Sequence, residues 1–201
     1  PSGAGKTSLA SKIIQTDPKV MFSVSATTRF ARKGEIEGRE YFFKSPAQFK
    51  KMILAGEFLE YAEVFSNFYG TPMSEVENAE KLGKDLIFDV DWQGGTQIRN
   101  SSLSDSVVSI FILPPSIKEL ENRLKIRAQD SDETVRSRMK EARSEISHWG
   151  EYDYVLVNDD LKEVTLSIQT ILKSERLRRE RQISLASIVG SLNSEFEEKK
   201  L

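Results

Sequence analysis

The segment Pro1–Thr7 reads Pro-Ser-Gly-Ala-Gly-Lys-Thr, and an apolar-periodic stretch typical of a helix follows it directly. It matches all but the first position of the Walker A pattern, Gly-x-x-x-x-Gly-Lys-[Ser/Thr]. Glycines let backbone N–H groups converge on phosphate oxygens, and the start of the following helix adds a positive end. A surface turn before a helix is the simpler alternative. Gly-Lys-Thr at the opening of an apolar-periodic helix favours a phosphate-binding loop.

The side chains of this loop suggest a role for each part of it. Lys6 would reach the β- and γ-phosphates of a nucleotide, and Thr7 would offer its hydroxyl to Mg²⁺. The leading glycine of the pattern would fall just before Pro1, and we expect the protein to contain that residue and a central strand before it. The residues expected to bind ATP in this loop are Ser2, Gly3, Ala4, Gly5, Lys6, Thr7 and Ser8.

The composition fits a soluble globular protein and excludes several kinds of site. The net charge of −2 gives no global basic field that would gather nucleic acid. The chain has no cysteine, so disulfides, thiolate catalysis and cysteine metal ligands are excluded together. No apolar run approaches the roughly 18 residues of a membrane span, and no signal peptide is visible. We therefore expect a cytoplasmic protein without a membrane anchor.

Apolar runs alternate along the chain in the manner of an α/β fold with a mainly parallel sheet. A helix is predicted over 7–15, and compact apolar runs at 86–90, 107–113 and 152–157 predict buried strands. Helical spacing begins at Leu161, and an apolar stripe from Leu185 to Leu192 is predicted to continue that helix. This last region could pack on the core or on a second subunit.

Two carboxylates, Asp89 and Asp91, stand at the end of the strand predicted over 86–90. Magnesium in a phosphate-loop protein usually needs a carboxylate opposite the loop hydroxyl. Alternation along a strand would point both side chains to the same side. The alternative is that they cap a helix beginning at Trp92. Both interpretations can hold for different residues, so the sequence leaves the assignment between the two open.

The segment 123–143 is rich in arginine, and Gln129–Asp132 divides it into two helices. Arg123 and Arg127 lie four residues apart on one helical face, and Arg138 follows on the next helix. Such a run is often only a solvated face. It also suits a mobile lid that carries cations over a phosphoryl group in transfer. The one histidine, His148, is interpreted as structural.

Several segments carry a resemblance to a known family. They are Ser-Val-Ser-Ala-Thr-Thr-Arg (23–29), Tyr-Phe-Phe (41–43), Phe-Leu-Glu-Tyr-Ala-Glu (58–63), Asn-Phe-Tyr-Gly-Thr (67–71), Asp-Val-Asp-Trp-Gln-Gly (89–94), Phe-Ile-Leu-Pro-Pro-Ser (111–116) and Val-Asn-Asp-Asp (157–160). Together, and in this order, they closely resemble guanylate kinases over essentially the whole chain. The resemblance implies a nucleoside monophosphate kinase that transfers the γ-phosphoryl group of ATP to GMP, and to dGMP as a further acceptor.

The resemblance also implies a GMP site. Glu60 would read guanine, because a carboxylate accepts hydrogen bonds from both N1–H and the 2-amino group, which adenine cannot donate. Arg29 and Arg32 would clamp the GMP phosphate, since paired arginines suit that anion. The full set that the resemblance assigns to GMP is Ser25, Arg29, Arg32, Tyr41, Glu60, Tyr69, Thr71 and Asp89.

On the ATP side, the resemblance assigns Asn158 to the neighbourhood of the adenine and Asp91 to Mg²⁺, together with Thr7. Mg²⁺ is the implied cofactor. The residues expected to act on the phosphoryl group in transfer are Lys6, Arg29, Arg123, Arg127 and Arg138.

The implied fold is a P-loop-type parallel sheet core flanked by helices, with a small mixed α/β insertion and a helical lid, in one domain. We expect the core to comprise 1–24, 84–122 and 144–201, the GMP-binding insertion 25–83 and the lid 123–143. The expected partners are ATP and GMP, without nucleic acid or membrane, in a monomer or a homodimer. Two alternatives are a scaffold module that binds phosphopeptides without chemistry and a kinase whose acceptor is a different compound, such as a ribose bisphosphate.

Overall fold

The computed structural model describes residues 1–64, 66–127 and 132–199, and within them every side chain except those of residues 127 and 132–134. In chain order the elements are α1 (Lys6–Thr16), β1 (Val20–Phe22), β2 (Ala26–Thr27), β3 (Phe42–Phe43), α2 (Pro46–Leu54), β4 (Phe58–Val64), β5 (Asn67–Pro72), α3 (Met73–Leu82), β6 (Asp85–Ile87), α4 (Trp92–Arg99), β7 (Ile110–Leu113), α5 (Ile117–Arg127), α6 (Asp132–Ile146), β8 (Tyr154–Val157), α7 (Leu161–Arg176) and α8 (Leu185–Glu198).

The core is built on parallel strands, as the sequence predicts. Strand β1 pairs with β6 in parallel, and β7 pairs with β8 in the same way. Parallel neighbours need crossover connections, which the intervening helices provide. Helices α1 and α7 cover these strands, with Leu9 and Ile13 of α1 packed in one buried cluster with Val164 and Ile168 of α7 and Ile112 of β7. This packing holds the phosphate loop, which leads into α1, against the sheet.

A second sheet lies within the segment predicted to be an insertion. Its strands follow the order β3-β2-β5-β4, with β2 and β3 parallel and the other pairs antiparallel. The β4–β5 register places Glu60 opposite Thr71. The alternation of parallel strands and helices is therefore interrupted here by a small mixed sheet, which brings distant segments of the chain to one place.

All three strand predictions were too long. Strand β8 begins at Tyr154 and not at residue 152, because residues 149–151 form a short 3₁₀ turn that ends at Tyr152. Strand β6 ends at Ile87 and not at residue 90, because the chain turns there into the cap of α4. Strand β7 begins at Ile110 and not at residue 107, because residues 104–106 form a short 3₁₀ turn.

The prediction of one continuous C-terminal helix was wrong. Helix α7 ends at Arg176, and Arg178 adopts an extended conformation (φ −61°, ψ 134°) that breaks the helical hydrogen-bond ladder. A new helix, α8, begins at Leu185. Within the described part of the chain, no helix combines the length and hydropathy that a membrane-spanning segment requires.

Candidate active site

The phosphate loop has the backbone that the sequence predicts. Gly3 and Gly5 adopt positive φ angles of 83° and 99°, a region in which side chains other than glycine are strained. Gly5 is also the N-cap of α1, and no side chain caps the first turn of that helix. The N–H groups that open α1 are thus available to an anion, with the positive end of the helix behind them.

The side chain of Asn158 packs against the phosphate loop and is hydrogen-bonded to it. Its side chain is 4% exposed, and its Nδ2 donates to the carbonyl of Ala4 at 2.6 Å. A Cβ atom at Gly5 would collide with the Asn158 amide, so the loop passes directly over it. The resemblance suggested a position near the ATP adenine. The structure places this side chain against the phosphate loop, where its amide is buried and bonded to the loop backbone. Its position near the adenine stays a prediction.

The structure separates the roles of the two carboxylates that follow β6. Thr7 Oγ1 donates to Asp89 Oδ2 at 2.6 Å. Asp91 is the N-cap of α4, and it accepts hydrogen bonds from the backbone N–H of Gly94 at 2.9 Å and from the side chain of Gln93 at 3.0 Å. The carboxylate beside the loop hydroxyl is therefore Asp89, and Asp91 serves a helix terminus. The geometry favours Asp89 over Asp91 for the metal role.

Arg29 belongs to a cluster of charged and aromatic groups. Its guanidinium donates to both carboxylate oxygens of Glu35 at 2.9 Å each, and it lies 5.2 Å from the ring centre of Tyr41. The hydrogen bond from Arg29 holds the pKa of Glu35 below its usual range. Glu35 also accepts from the backbone N–H of Arg32 at 2.7 Å. One carboxylate thus orients Arg29 and the backbone at Arg32, although the sequence analysis gave Glu35 no role.

The two predicted tyrosines complete this cluster. The rings of Tyr41 and Tyr69 meet edge to face, with their centres 5.9 Å apart. Burial raises the pKa of Tyr41, and the charges of Tyr69 and Asp89 act in the same direction. Asp89, which accepts from Thr7, is one of the charges that raise the pKa of Tyr41. The binding of an acceptor phosphate at this cluster stays a prediction.

Glu60 is a buried carboxylate on β4. It is 4% exposed, and its Oε1 accepts from the hydroxyl of Thr71, which is fully buried, at 2.7 Å. Burial raises the pKa of Glu60 to about 6, although the bond from Thr71 acts in the opposite direction. The pairing of Ala26 with Gly70 places Ser25 opposite Thr71 at the end of β2. Three residues predicted to contact the base therefore lie together.

Helix α4 shapes the surroundings of Glu60. A Cβ atom at Gly94 would lie 2.5 Å from Glu60 Oε2, so only glycine leaves room for the carboxylate there. Gln97, one turn later, accepts from the N–H of Tyr61 at 3.1 Å and donates to its carbonyl at 2.8 Å. The amide of Gln97 thus binds the edge of β4 next to Glu60 as a neighbouring strand would. The sequence analysis assigned no role to either residue.

The predicted lid arginines are only partly described. Arg123 on α5 donates to Glu119 at 2.8 Å and to the carbonyl of Asn158 at 3.1 Å, which ties α5 to the segment that follows β8. Arg138 lies half-buried on α6. The side chain of Arg127 and the whole of residues 128–131, which include most of the predicted break between the lid helices, lie outside the described residues.

The site resembles a known family in sequence and in structure. The family model described as guanylate kinase matches residues 1–175. The chain belongs to the guanylate kinase family. The guanylate kinase of Cereibacter sphaeroides is 56% identical over 197 residues, covering 98% of this chain and 93% of that protein. The guanylate kinase of Ruegeria pomeroyi is 54% identical, with the same coverage of 98% and 93%.

A solved structure agrees with this family membership. The crystal structure of guanylate kinase from Anaplasma phagocytophilum superimposes with a TM-score of 0.77 at 38% identity, covering 92% of this chain and 88% of that one. The predicted family and the predicted α/β class are both confirmed. The assignment of individual site residues stays a prediction that the geometry above supports.

Proposed function

We propose that this member of the guanylate kinase family transfers the γ-phosphoryl group of ATP to GMP, giving ADP and GDP, with the residues described above. The observation that carries the proposal is the presence of two complementary sites in one chain. One is a phosphate loop with Lys6 and the Thr7–Asp89 pair. The other is a buried carboxylate, Glu60, whose hydrogen-bonding capacity matches guanine.

ATP binds through the phosphate loop in this proposal. The backbone from Ser2 to Ser8 surrounds the phosphates, and Lys6 neutralises charge on the β- and γ-phosphates. Asn158 contributes indirectly, because its bond to Ala4 fixes the loop in its glycine-dependent conformation. Arg123, Arg127 and Arg138 lie on α5 and α6, and we assign them to the charge that develops on the phosphoryl group during transfer.

Thr7 and Asp89 fit a Mg²⁺ ion. Mg²⁺ prefers oxygen ligands and usually keeps several waters, so a hydroxyl and one carboxylate, with the nucleotide phosphates, meet its needs. The two oxygens lie 2.6 Å apart at the phosphate loop. When bound there, Mg²⁺ would neutralise phosphate charge and orient the β- and γ-phosphates. Asp91 would affect the Mg²⁺ site only indirectly, because it caps α4 and so fixes the position of that helix.

The acceptor phosphate binds at the Arg29 cluster. Glu35 engages both Nη atoms of Arg29 and so fixes the plane of the guanidinium. The hydroxyls of Tyr41 and Tyr69 and the side chain of Arg32 complete an anion site around it. GMP phosphate already carries negative charge at neutral pH, so its oxygen attacks the γ-phosphorus without a general base. The work of the protein is then positioning and charge neutralisation.

Guanine binds at Glu60. The ionised carboxylate accepts from guanine N1–H and the 2-amino group, and Thr71 and Ser25 lie on the neighbouring strands to contact the base. Adenine would leave the buried carboxylate unpaired. Such a mismatch favours guanine over adenine by several orders of magnitude. Closure over both substrates would exclude water and so prevent hydrolysis of ATP.

We also infer a cytoplasmic location, since the absence of cysteine fits a reducing compartment.

The experiment that tests the proposal is steady-state ADP production with Mg-ATP and GMP, dGMP, AMP, UMP or CMP as acceptor. Strong preference for GMP, with turnover of dGMP as well, is the expected result. Binding of GMP without turnover of any acceptor would indicate a non-catalytic scaffold. Turnover of a sugar phosphate in place of GMP would overturn the assignment of Glu60.

A further inference from the structure

A side chain of α4 binds the outer edge of β4. Strand β4 stands at one end of the four-stranded sheet, and within the described residues no strand pairs with its outer side. Gln97 accepts from the N–H of Tyr61 at 3.1 Å and donates to the carbonyl of Tyr61 at 2.8 Å. One amide thus makes both hydrogen bonds that a residue of an antiparallel strand would make there.

This bridge acts on the residue next to Glu60. The N–H of Tyr61 belongs to the peptide unit that begins at the Cα atom of Glu60, and a peptide unit is planar. The bond from this N–H to Gln97 therefore fixes the orientation of the plane on which the Glu60 side chain is carried. The direction of the Glu60 carboxylate follows from that plane.

Helix α4 also contacts the carboxylate directly. Gly94 lies one turn before Gln97 on the same helical face, and a Cβ atom there would lie 2.5 Å from Glu60 Oε2. Thr71 donates to the other oxygen, Oε1, at 2.7 Å. The carboxylate thus lies between a donor on β5 and the backbone of α4. The distance between α4 and β4 decides where Oε2 stands, and the Gln97 bridge holds that distance.

We propose that Gln97 is a positioning residue for guanine recognition, which holds the Glu60 carboxylate where it can accept two hydrogen bonds from the base. The inference rests on the proposed function, since it concerns the same carboxylate and the same acceptor. Gln97 acts through Glu60 and the backbone of Tyr61.

The simpler interpretation is that the bridge only covers a strand edge, which proteins protect against pairing with other chains. Gln97 and Tyr61 are both exposed, so water could bond the same backbone groups, and the bridge is not needed to avoid an unpaired buried group. The two interpretations differ in one respect. Only a positioning role makes the choice between acceptor bases depend on Gln97.

The start of α4 is held independently of the bridge. Asp91 caps the helix by accepting from the N–H of Gly94 at 2.9 Å, and Asp89, just before it, accepts from Thr7 at 2.6 Å. Loss of the Gln97 bridge would release α4 from β4 but leave this first turn in place. We therefore expect the effect to appear in the acceptor parameters and not in the KM for ATP.

Acceptor selectivity tests the proposal. Gln97→Met keeps the approximate length and the helix propensity of the side chain but can form neither bond. GMP donates from N1–H and the 2-amino group, whereas IMP, whose base lacks the 2-amino group, donates from N1–H alone. A displaced carboxylate can still accept one bond but not two in good geometry, so kcat/KM should fall about tenfold for GMP and about twofold for IMP. The preference for GMP over IMP should narrow about fivefold, through KM and with kcat little changed.

Gln169→Met is the matched control. The amide of Gln169 also bridges two segments, because it donates to the hydroxyl of Thr16 at 2.9 Å and so links α7 to α1. Its loss should leave the preference for GMP over IMP unchanged. An unchanged preference in Gln97→Met would overturn the proposal and leave the bridge as cover for the strand edge. An equal change in Gln169→Met would overturn it too, since any loss of an inter-segment bond would then have the same effect.

Titration of Glu60 separates this inference from the proposed kinase reaction, because it needs no turnover. Burial raises the pKa of Glu60 to about 6, and α4 forms part of its surroundings. Release of α4 would admit water, so the pKa observed by NMR at the carboxyl carbon should fall toward 4.5 in Gln97→Met and stay unchanged in Gln169→Met. A wild-type protein that does not phosphorylate GMP would overturn the proposed function. Equal pKa values of Glu60 in wild type and Gln97→Met would overturn the role of Gln97.

Discussion

The two halves of the candidate site are built in different ways. The phosphate loop is continuous in sequence, and its chemistry depends on backbone N–H groups and two glycines with positive φ. The proposed guanine site is assembled from β4, β5 and α4, and its chemistry would depend on one buried carboxylate and the space left for it. In the proposed function the loop binds phosphates, which all nucleotides share, whereas the assembled site discriminates among bases. Changes in the two regions should therefore affect different kinetic constants.

The largest effect is expected in the phosphate loop. Lys6→Ala removes the cation that neutralises the β- and γ-phosphates, and kcat should fall by roughly a thousandfold or more. The loss should be similar with GMP and dGMP, because the two acceptors differ only at the ribose and Lys6 is assigned to the phosphates of ATP. Lys12→Ala is the matched control, since Lys12 is an exposed residue of the same helix. Retention of more than a tenth of the wild-type kcat by Lys6→Ala would contradict the assigned role.

A change at the guanine site should act on the acceptor alone. Glu60→Gln would place an amide N–H donor against the N1–H and 2-amino donors of guanine, which need an acceptor. We therefore expect kcat/KM for GMP to fall by roughly 100- to 1000-fold. The KM for ATP should stay within a few-fold of wild type. Glu63→Gln, an exposed position on the same strand, should change neither constant. Equal losses in GMP and ATP parameters would show that Glu60 is not specific to the base.

The same substitution should stabilise the fold. Burial raises the pKa of Glu60 to about 6 from its ordinary value of 4.5, so the ionised side chain is less stable in the folded protein than in the unfolded chain. The penalty is absent at low pH, develops between about 4.5 and 6, and reaches about 2 kcal/mol above that range. Glu60→Gln should remove this penalty and raise the thermal midpoint at pH 8. Lost activity with gained stability would exclude misfolding as the cause.

The contrast between the continuous loop and the assembled guanine site also explains how well each region could be predicted from the sequence. The loop was predicted residue by residue, because glycine, lysine and threonine at fixed spacing specify a local conformation. Asp89 and Asp91 could not be distinguished, since the choice depends on where β6 ends and α4 begins. The bond from the Asn158 side chain to the loop carbonyl of Ala4 could not be predicted from the sequence, because 154 residues separate the two. Contacts between distant segments leave no local pattern in the sequence.

Gly94 illustrates this limit. Its neighbours in sequence, Gln93 and Gly95, give no sign that it faces a carboxylate of β4. Gly94→Ala would improve the helix propensity of α4 but place a methyl group 2.5 Å from Glu60 Oε2. The carboxylate must shift, and we expect KM for GMP to rise by about tenfold or more with kcat and KM for ATP little changed. Gly190→Ala, in the open part of α8, should leave all three constants unchanged.

The smallest effect should appear in the pH dependence. In the proposed function ionised Glu60 accepts two hydrogen bonds from guanine, whereas the protonated form could not accept both. Because its pKa is about 6, kcat/KM for GMP should fall about tenfold per pH unit below 6. The second ionisation of a phosphate monoester also lies near 6 and adds its own dependence. The measurement is therefore the difference between the wild-type and Glu60→Gln profiles, since only the wild type contains the Glu60 ionisation. Parallel profiles would show that Glu60 does not titrate in this range, and the guanine site would then depend on shape and not on the charge of one carboxylate.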